Sequence, residues 1–431
     1  MRILHILSQR PGRSGSGIFL RAMVRETARR GYAQHVIVAG PPGTSAAEIP
    51  PLHDGDLSPI IFPSDDAPFP VPGNSDVMPY PTTVFSRMTP AQIEQYLCAS
   101  RRVMEQVRDS FRPDLVHAHH LWLMSSLARE VFSDIPLVIT SHNAELRQMV
   151  KASQLVPRVL SGVRHADKVC VLTPQSVADT IVNFGIPRER IAITGAGFDD
   201  ALFHPPTRSR APILAELRDR FDVALPENER LVTFVGRTSV SKGVPFLLDA
   251  AARLRDRIVA FRVVLLGATG SGEQGRAMDA LVAAAAPHVI QTGAQAPEAV
   301  ALLLQVSDLF VLPSLFEGLP LTMLEALATG CPAVVSALPT IASWVPRAWR
   351  DRGYIELVPP LATTNADEPV AGDVDRFVTD LATAIERQLA APLDDDARLA
   401  LASELVPHSW RHVFDRYEEI YRAAAAVTAS R

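Results

Sequence analysis

Apolar residues in this chain fall into short unbroken runs and into runs spaced three or four apart. Ile3, Leu4, Ile6 and Leu7 form the first unbroken run, the pattern of a strand buried on both faces. A glycine-containing loop follows at 11–17. Leu20, Met23, Val24, Thr27 and Ala28 then recur at helical spacing up to Gly31, and a second apolar run occupies 35–39. Strand, loop, helix and strand make one βαβ unit. Further strands are predicted at 114–118, 137–141 and 168–172 and, after a restart, at 231–236, 261–267, 309–312 and 333–336, with helical segments between them. No repeat with a period of roughly 20–50 residues is found. The pattern predicts an α/β protein with two doubly wound, Rossmann-like domains facing across a cleft.

His204-Pro-Pro-Thr207 reads as a linker, because proline excludes helix, and it places the boundary near 198–209. The domains expected are 1–200 and 201–408, followed by a helix within 409–431 that packs back toward the first domain. That helix should carry Val413, Phe414, Tyr417, Ile420 and Tyr421 on one face, as packing residues rather than ligand contacts. Two stretches break the rhythm. Residues 41–90 hold 12 of the 35 prolines and no clear period. Their apolar content (Phe62, Phe69, Val71, Met78, Tyr80, Phe85) argues against plain disorder and for a functional insertion. Residues 358–372 read as a surface insertion.

Composition narrows the function. The 431 residues carry 42 Lys and Arg against 47 Asp and Glu, a net charge of -5, which argues against a general nucleic-acid binder. Cys98, Cys170 and Cys331 are too scattered for a disulfide framework or a zinc site, which points to a reducing cytoplasm. No apolar run approaches the ~20 residues of a transmembrane helix, and the N-terminal run reads as a strand rather than a signal peptide.

The strongest chemical signal is the segment Ser314 to Gly330, with Glu317 in a loop and Glu325 eight residues on, inside a helix opening near Pro320. The free amides of Leu321 and Thr322 at that helix start suit a phosphate. Glu317 can then reach a sugar attached to the phosphate, and Glu325 can accept the hydroxyls of a ribose. The plainer reading is a loop carboxylate and a solvated helix residue. Eight helical residues span roughly 12 Å, beyond the separation of a glycosidase pair. The second signal is Phe234 to Gly243, which puts Arg237 and Lys242 in the loop after the first strand of the second half. That loop lies at the carboxyl edge of the sheet, where open α/β folds bind ligands. Two cations there can neutralise a diphosphate leaving group, although bare charges are more often solvated.

Gly236-Arg-x4-Lys-Gly followed by Glu-x7-Glu resembles the donor half of a retaining glycosyltransferase of the GT-B fold, glycosyltransferase family 4. Gly197-Phe-Asp-x3-Phe-His-Pro205, Leu115-Val-His-Ala-His119, Gly15-Ser-Gly17 and Ser409-Trp-x3-Phe-x2-Tyr resemble further motifs of that family, in the same order. The resemblance implies that Glu317 contacts the donor sugar, Glu325 the nucleotide ribose, and Arg237 and Lys242 the diphosphate, which the backbone at Gly15 and Gly17 also approaches. It places His119 near the sugar, with His117 on the opposite face of the strand. The chain departs from the family at Gly318-Leu319 and at Leu338 to Trp344, which replaces a glycine-rich stretch.

His142-Asn143 should face the cleft, and Arg147, Lys151 and Arg158 would share one face of a continuous helix unless Pro157 interrupts it. That face reads as an anionic acceptor site, a membrane-surface contact or a solvated basic face. Asp54-Gly-Asp56 has the spacing of a carboxylate pair, but lies in the irregular stretch, so no metal and no cofactor beyond the donor are expected. The leading expectation is a cytoplasmic, metal-independent retaining glycosyltransferase using a nucleotide-diphosphate sugar and a small-molecule acceptor. A nucleotide-sugar epimerase of the same fold and a non-catalytic nucleotide-sugar binder are the alternatives.

Overall fold

Two parallel sheets organise the chain. In the first, the strands run in spatial order Leu57–Ile61, Ala33–Gly40, Arg2–Leu7, Leu115–His119, Leu137–Thr140, Lys168–Val171, Ile191–Ile193. In the second the order is Val289–Gly293, Phe261–Leu266, Arg230–Val235, Leu309–Leu312, Ala333–Ser336, Ile355–Val358. In this computed structural model the described residues are 1–429 except 13, 75–77, 79, 256, 258–259 and 271. Residue 13 of the glycine loop and part of the proline-rich stretch therefore lie outside the described residues.

Each sheet belongs to its own unit, one formed by Met1–Ala196 with Trp410–Arg431 and the other by Gly197–Ser409. In both, the strand order reverses beside the first strand: Ile6 pairs with Ala118 in one sheet, and Val232 with Leu309 in the other. At such a switch point the loops leaving the two strands diverge, and the crevice opens at the carboxyl edge. Central strands are buried along their length, as their unbroken apolar runs demand.

The proline-rich stretch is not structureless. Leu57–Ile61 pairs in parallel with Ala33–Gly40 and forms an edge of the first sheet. Pro59 is tolerated there because an edge strand can spare a donor. Phe62, Phe69, Val71 and Phe85 are buried in the core of that unit. Residues 358–372 contain a small antiparallel pair, Thr363–Thr364 with Glu368–Pro369.

The last helix, Trp410–Ala429, lies on the first unit. Val413, Phe414, Tyr417 and Tyr421 are fully buried beneath it. Its two tyrosines also bind polar groups of the sheet. Tyr417 Oη lies 2.8 Å from Thr140 Oγ1 and 3.0 Å from Thr194 Oγ1, and Tyr421 Oη lies 2.6 Å from His117 Nδ1. At the helix rim, Arg30 and Tyr32 both bind the Glu418 carboxylate, at 2.9 and 2.5 Å. Among the described residues no helix is long and apolar enough to cross a membrane.

Candidate active site

In the second unit the site grows from the loops after Arg230–Val235 and Leu309–Leu312. The first loop must turn sharply into the helix Val244–Leu254, and Gly243 makes that turn at φ +77°. A Cβ on Gly243 would stand 1.9 Å from the carbonyl oxygen of Pro313, so only glycine lets the two loops touch. Leu315 N–H then donates to Ser241 O at 2.9 Å and fastens one loop to the other. A second close approach supports the first: a Cβ on Gly267, at φ +151°, would stand 1.7 Å from Gly236 O.

This packing brings Lys242 to Glu317. Lys242 Nζ donates to Glu317 Oε1 at 2.5 Å, and Ser314 Oγ donates to the same oxygen at 2.8 Å. The Glu317 carbonyl accepts from Thr340 Oγ1 at 3.0 Å, which holds the loop from its other side. Arg237 is half-buried in the same loop as Lys242. The helix Leu321–Ala328 opens behind Pro320 with no side-chain cap, so the amides of Leu321 and Thr322 are not engaged by a capping residue. Glu325 is half-buried within it, and desolvation pushes its carboxyl up to about 7. Two hydroxyls passed over in the sequence belong to the same edge. Thr238 Oγ1 and Ser336 Oγ are buried without a hydrogen-bond partner among the described residues. Single Ser and Thr residues at strand ends carry no periodic signal that would have singled them out.

In the first unit the corresponding loops follow Arg2–Leu7 and Leu115–His119. The helix Gly15–Arg29 begins five residues before Leu20, where its apolar spacing starts, because Ser14 caps it. Gly17 N–H donates to Ser14 Oγ at 3.1 Å and is already engaged, whereas a Cβ on Gly15 would meet nothing within 4 Å. The proline-rich stretch folds onto this loop. Asn74 Nδ2 donates to Ser8 Oγ at 3.2 Å, Tyr80 Oη accepts from Arg10 N–H at 3.2 Å, and Glu48 pairs with Arg10 at 3.0 Å.

His119 ends its strand and is buried, with Nδ1 3.0 Å from His142 Nε2. His117 does not lie on the opposite face as expected. Residues two apart on a strand share a face, and the two rings stand 4.5 Å apart. His117 is spent on Thr140 Oγ1, 2.7 Å away, and on Tyr421. Burial, with mutual repulsion among the rings, pushes His117, His119 and His142 well below the usual imidazole range, and burial holds His5 at about 3. All four therefore sit neutral in the fold at pH 7.

Glu145 organises this cluster. Its Oε1 accepts from His142 N–H at 3.0 Å and Leu121 N–H at 3.4 Å, and its Oε2 lies 3.3 Å from His120 Nδ1. Burial alone would raise this carboxyl, but its bonds and the neighbouring imidazoles bring it down to about 2. The loops it joins carry two strained residues, His120 at φ +71° and Asn143 at φ +66°. Asn143 Oδ1 is fixed by Ser176 Oγ at 3.1 Å.

The basic face expected beyond this point is not continuous. Ala144–Lys151 and Val156–Val163 are separate helices, broken by the turn at Ser153–Leu155. Arg147 is buried and Lys151 half-buried on the first helix, while Arg158 lies on the second and pairs with Glu130. Asp54–Asp56 is a single 3-10 turn, with Asp54 exposed and Asp56 half-buried. His5, His117 and His119 are the described groups spaced closely enough for a metal, with ligating atoms within 4.8 Å of one another. That set brings no negative charge, and both nitrogens of His117 are engaged.

Residues 13–202 match the family model described as Glycosyltransferase Family 4, and residues 216–353 match that of Glycosyl transferases group 1. Among curated relatives, the D-inositol 3-phosphate glycosyltransferase of Rhodococcus opacus is 29% identical over 334 residues, covering 72% of this chain and 67% of the relative. That of Salinispora tropica is 33% identical over 283 residues, covering 58% and 56%. Among solved structures, sucrose-phosphate synthase from Thermosynechococcus elongatus superposes with a TM-score of 0.71 at 18% identity, over 99% of this chain and 100% of that one. HepE from Anabaena in complex with UDP and glucose gives 0.66 at 17% identity, over 98% and 100%.

Proposed function

Because the chain is a glycosyltransferase of the GT-B fold, built from a family 4 domain and a group 1 domain, we propose that it moves a sugar from a nucleotide-diphosphate sugar to a small acceptor with retention of anomeric configuration. The same matches favour transfer over the epimerase and binder readings. The observation that carries the proposal is the Lys242–Glu317 contact at the switch point of the second unit. It places a cation and a carboxylate side by side, next to an uncapped helix start.

On this reading the diphosphate lies against Arg237, Lys242 and the amides of Leu321 and Thr322. Glu325 accepts the ribose hydroxyls, and Glu317 faces the sugar. The bond from the anomeric carbon to the phosphate oxygen breaks, and its electron pair leaves with the diphosphate, whose growing charge Arg237 and Lys242 stabilise. The acceptor oxygen attacks the same face and passes its proton to the departing phosphate. Glu317 exchanges its hydrogen bond from Lys242 for sugar hydroxyls and offsets positive charge at the anomeric carbon.

The acceptor belongs with the first unit, near His119, His142, Asn143, Arg147 and Lys151. The relatives' name describes transfer to an inositol phosphate. Arg147 and Lys151 on one short helix supply charge suited to a phosphorylated polyol of that kind. The unpaired cysteines, one of them exposed, suit a reducing compartment, and we place the protein in the cytoplasm.

Proton NMR of the product made from an α-linked donor tests the stereochemistry: an α-linked product is expected, and a β-linked one overturns retention. Turnover should also persist in EDTA, since protein cations hold the diphosphate. Loss of activity that Mg²⁺ or Mn²⁺ restores would sink the metal-independent reading.

A further inference from the structure

The second unit has a cavity of about 570 Å³ away from the loops just described. Its lining includes Arg208, Ser209, Arg210, Gln305, Asp395 and Arg398. Arg210 is anchored through Asp308 Oδ2 at 3.1 Å and Glu229 O at 2.7 Å, and Arg398 through Ser307 O at 3.1 Å. Glu229, Ser307 and Asp308 immediately precede the strands Arg230–Val235 and Leu309–Leu312. The cavity therefore borders the amino edge of the sheet, while the candidate donor loops leave the carboxyl edge of the same two strands. Strands of this length separate the two edges by roughly 13–20 Å.

Two features of the lining call for an anion. Arg398 holds Ser307 O through Nη2, while its Nη1 is not buried and has no acceptor among the described residues, so it can take one from a molecule in the cavity. The pairing is also incomplete. Arg208 pairs with Glu216 and Arg210 with Asp308, whereas Arg398 has no carboxylate within ion-pair distance among the described residues, although Asp395 shares the lining. Ser209 adds the start of the helix Arg210–Phe221, which it does not cap with its side chain.

We propose that this cavity is a second anion site, one that binds the phosphate ester of a small polar molecule independently of the donor site. The phosphate accepts from Arg398 and Arg210 beside the helix start. The volume exceeds that of a bare phosphate and falls in the range of small-molecule pockets, which leaves room for the esterified part.

The test is titration calorimetry on the full chain carrying Arg237→Ala and Lys242→Ala, which weakens phosphate binding at the candidate donor site. Glucose 6-phosphate and inorganic phosphate are the probes. Saturable binding of glucose 6-phosphate is expected in this background, weakened at least tenfold by adding Arg398→Gln. Ser209→Asp is the second variant. It puts a carboxylate at the mouth of the cavity and at a helix N-cap, where aspartate favours folding, so loss of binding there cannot come from unfolding. Absence of saturable binding, or binding indifferent to both Arg398→Gln and Ser209→Asp, overturns the site. Inorganic phosphate binding as tightly as glucose 6-phosphate overturns the ester assignment. None of these outcomes depends on the sugar-transfer reading, which fails instead on product stereochemistry and turnover.

Discussion

At the switch point of the second unit a lysine and a glutamate from adjacent loops pair at 2.5 Å beside an uncapped helix start. At the switch point of the first unit, three buried histidines and the half-buried His142, all neutral, lie with one buried carboxylate that ties two strained loops together. The first arrangement is charged and open to a ligand that can take over its hydrogen bonds. The second is desolvated and held through Glu145, Tyr421 and Thr140, with His5 Nδ1, His119 Nε2 and His120 Nε2 left without a partner among the described residues. On the proposed function, a fold used twice supplies one site suited to stabilising a leaving anion and one suited to holding an acceptor hydroxyl in place. Charge stabilisation needs preorganised cations, whereas positioning needs rigidity.

Removing charge from the second unit is the harshest way to break this contrast. Arg237→Ala and Lys242→Ala should each lower kcat/KM by ~10²-fold or more, and the double variant by less than the product of the two, because both act on one group. Near-normal activity in either single variant removes that residue from the site. Glu317→Gln should lower kcat by ~10- to 10³-fold while free-nucleotide affinity barely changes. Steady-state kinetics and nucleotide titration together separate these effects.

In the first unit the sensitive element is Glu145. Glu145→Gln keeps the size but loses the charge that three partners share, and should destabilise the protein by ~1–3 kcal/mol. Loosening the His119–His142 contact should also lower kcat by about tenfold. Urea unfolding with parallel kinetics decides between outcomes: a stability loss with unchanged kcat confines Glu145 to a structural role.

The mildest test uses pH, to which the two sites respond with opposite sign. His5, His117, His119 and His142 have folded-state pKa values below the unfolded value near 6.5, so the unfolded chain takes up protons first. Their contribution is complete above pH ~6.5 and is lost as pH falls, toward about 3 in the case of His5. Glu325 is raised to about 7, so its folded form holds a proton that the unfolded chain releases near 4.5, and its contribution is lost as pH rises through that window. His5→Asn should flatten the fall of the urea midpoint between pH 7 and 5 relative to the parent, and Glu325→Gln should raise the midpoint at pH 8 more than at pH 5. Identical pH profiles for parent and variants would refute both assignments.

Legibility in the sequence followed burial. The nine strands read from apolar runs are all present, and the four strands of the two large sheets that were missed, Leu57–Ile61, Ile191–Ile193, Val289–Gly293 and Ile355–Val358, are the four edges of those sheets. An edge strand is only partly buried and tolerates proline and polar residues, so it leaves no unbroken run. The candidate donor residues were legible because Arg237 and Lys242 share one loop, and Glu317 and Glu325 one loop and helix. Glu145, Asn74 and Tyr80 were not, since their partners come from other segments.

By itself, then, the sequence determined the alternation of strand and helix, the central strands of both sheets and the charged residues at the carboxyl edge of the second, all consequences of local period and short spacing. Only the tertiary structure decided which of those residues meet. Lys242 reaches Glu317 across 75 positions because Gly243 has no Cβ to strike Pro313. His117 is withdrawn from the site because Tyr421, 304 positions away, takes its Nδ1. Contacts of that range depend on how whole elements pack, and local periodicity carries no trace of the partner that packing will deliver.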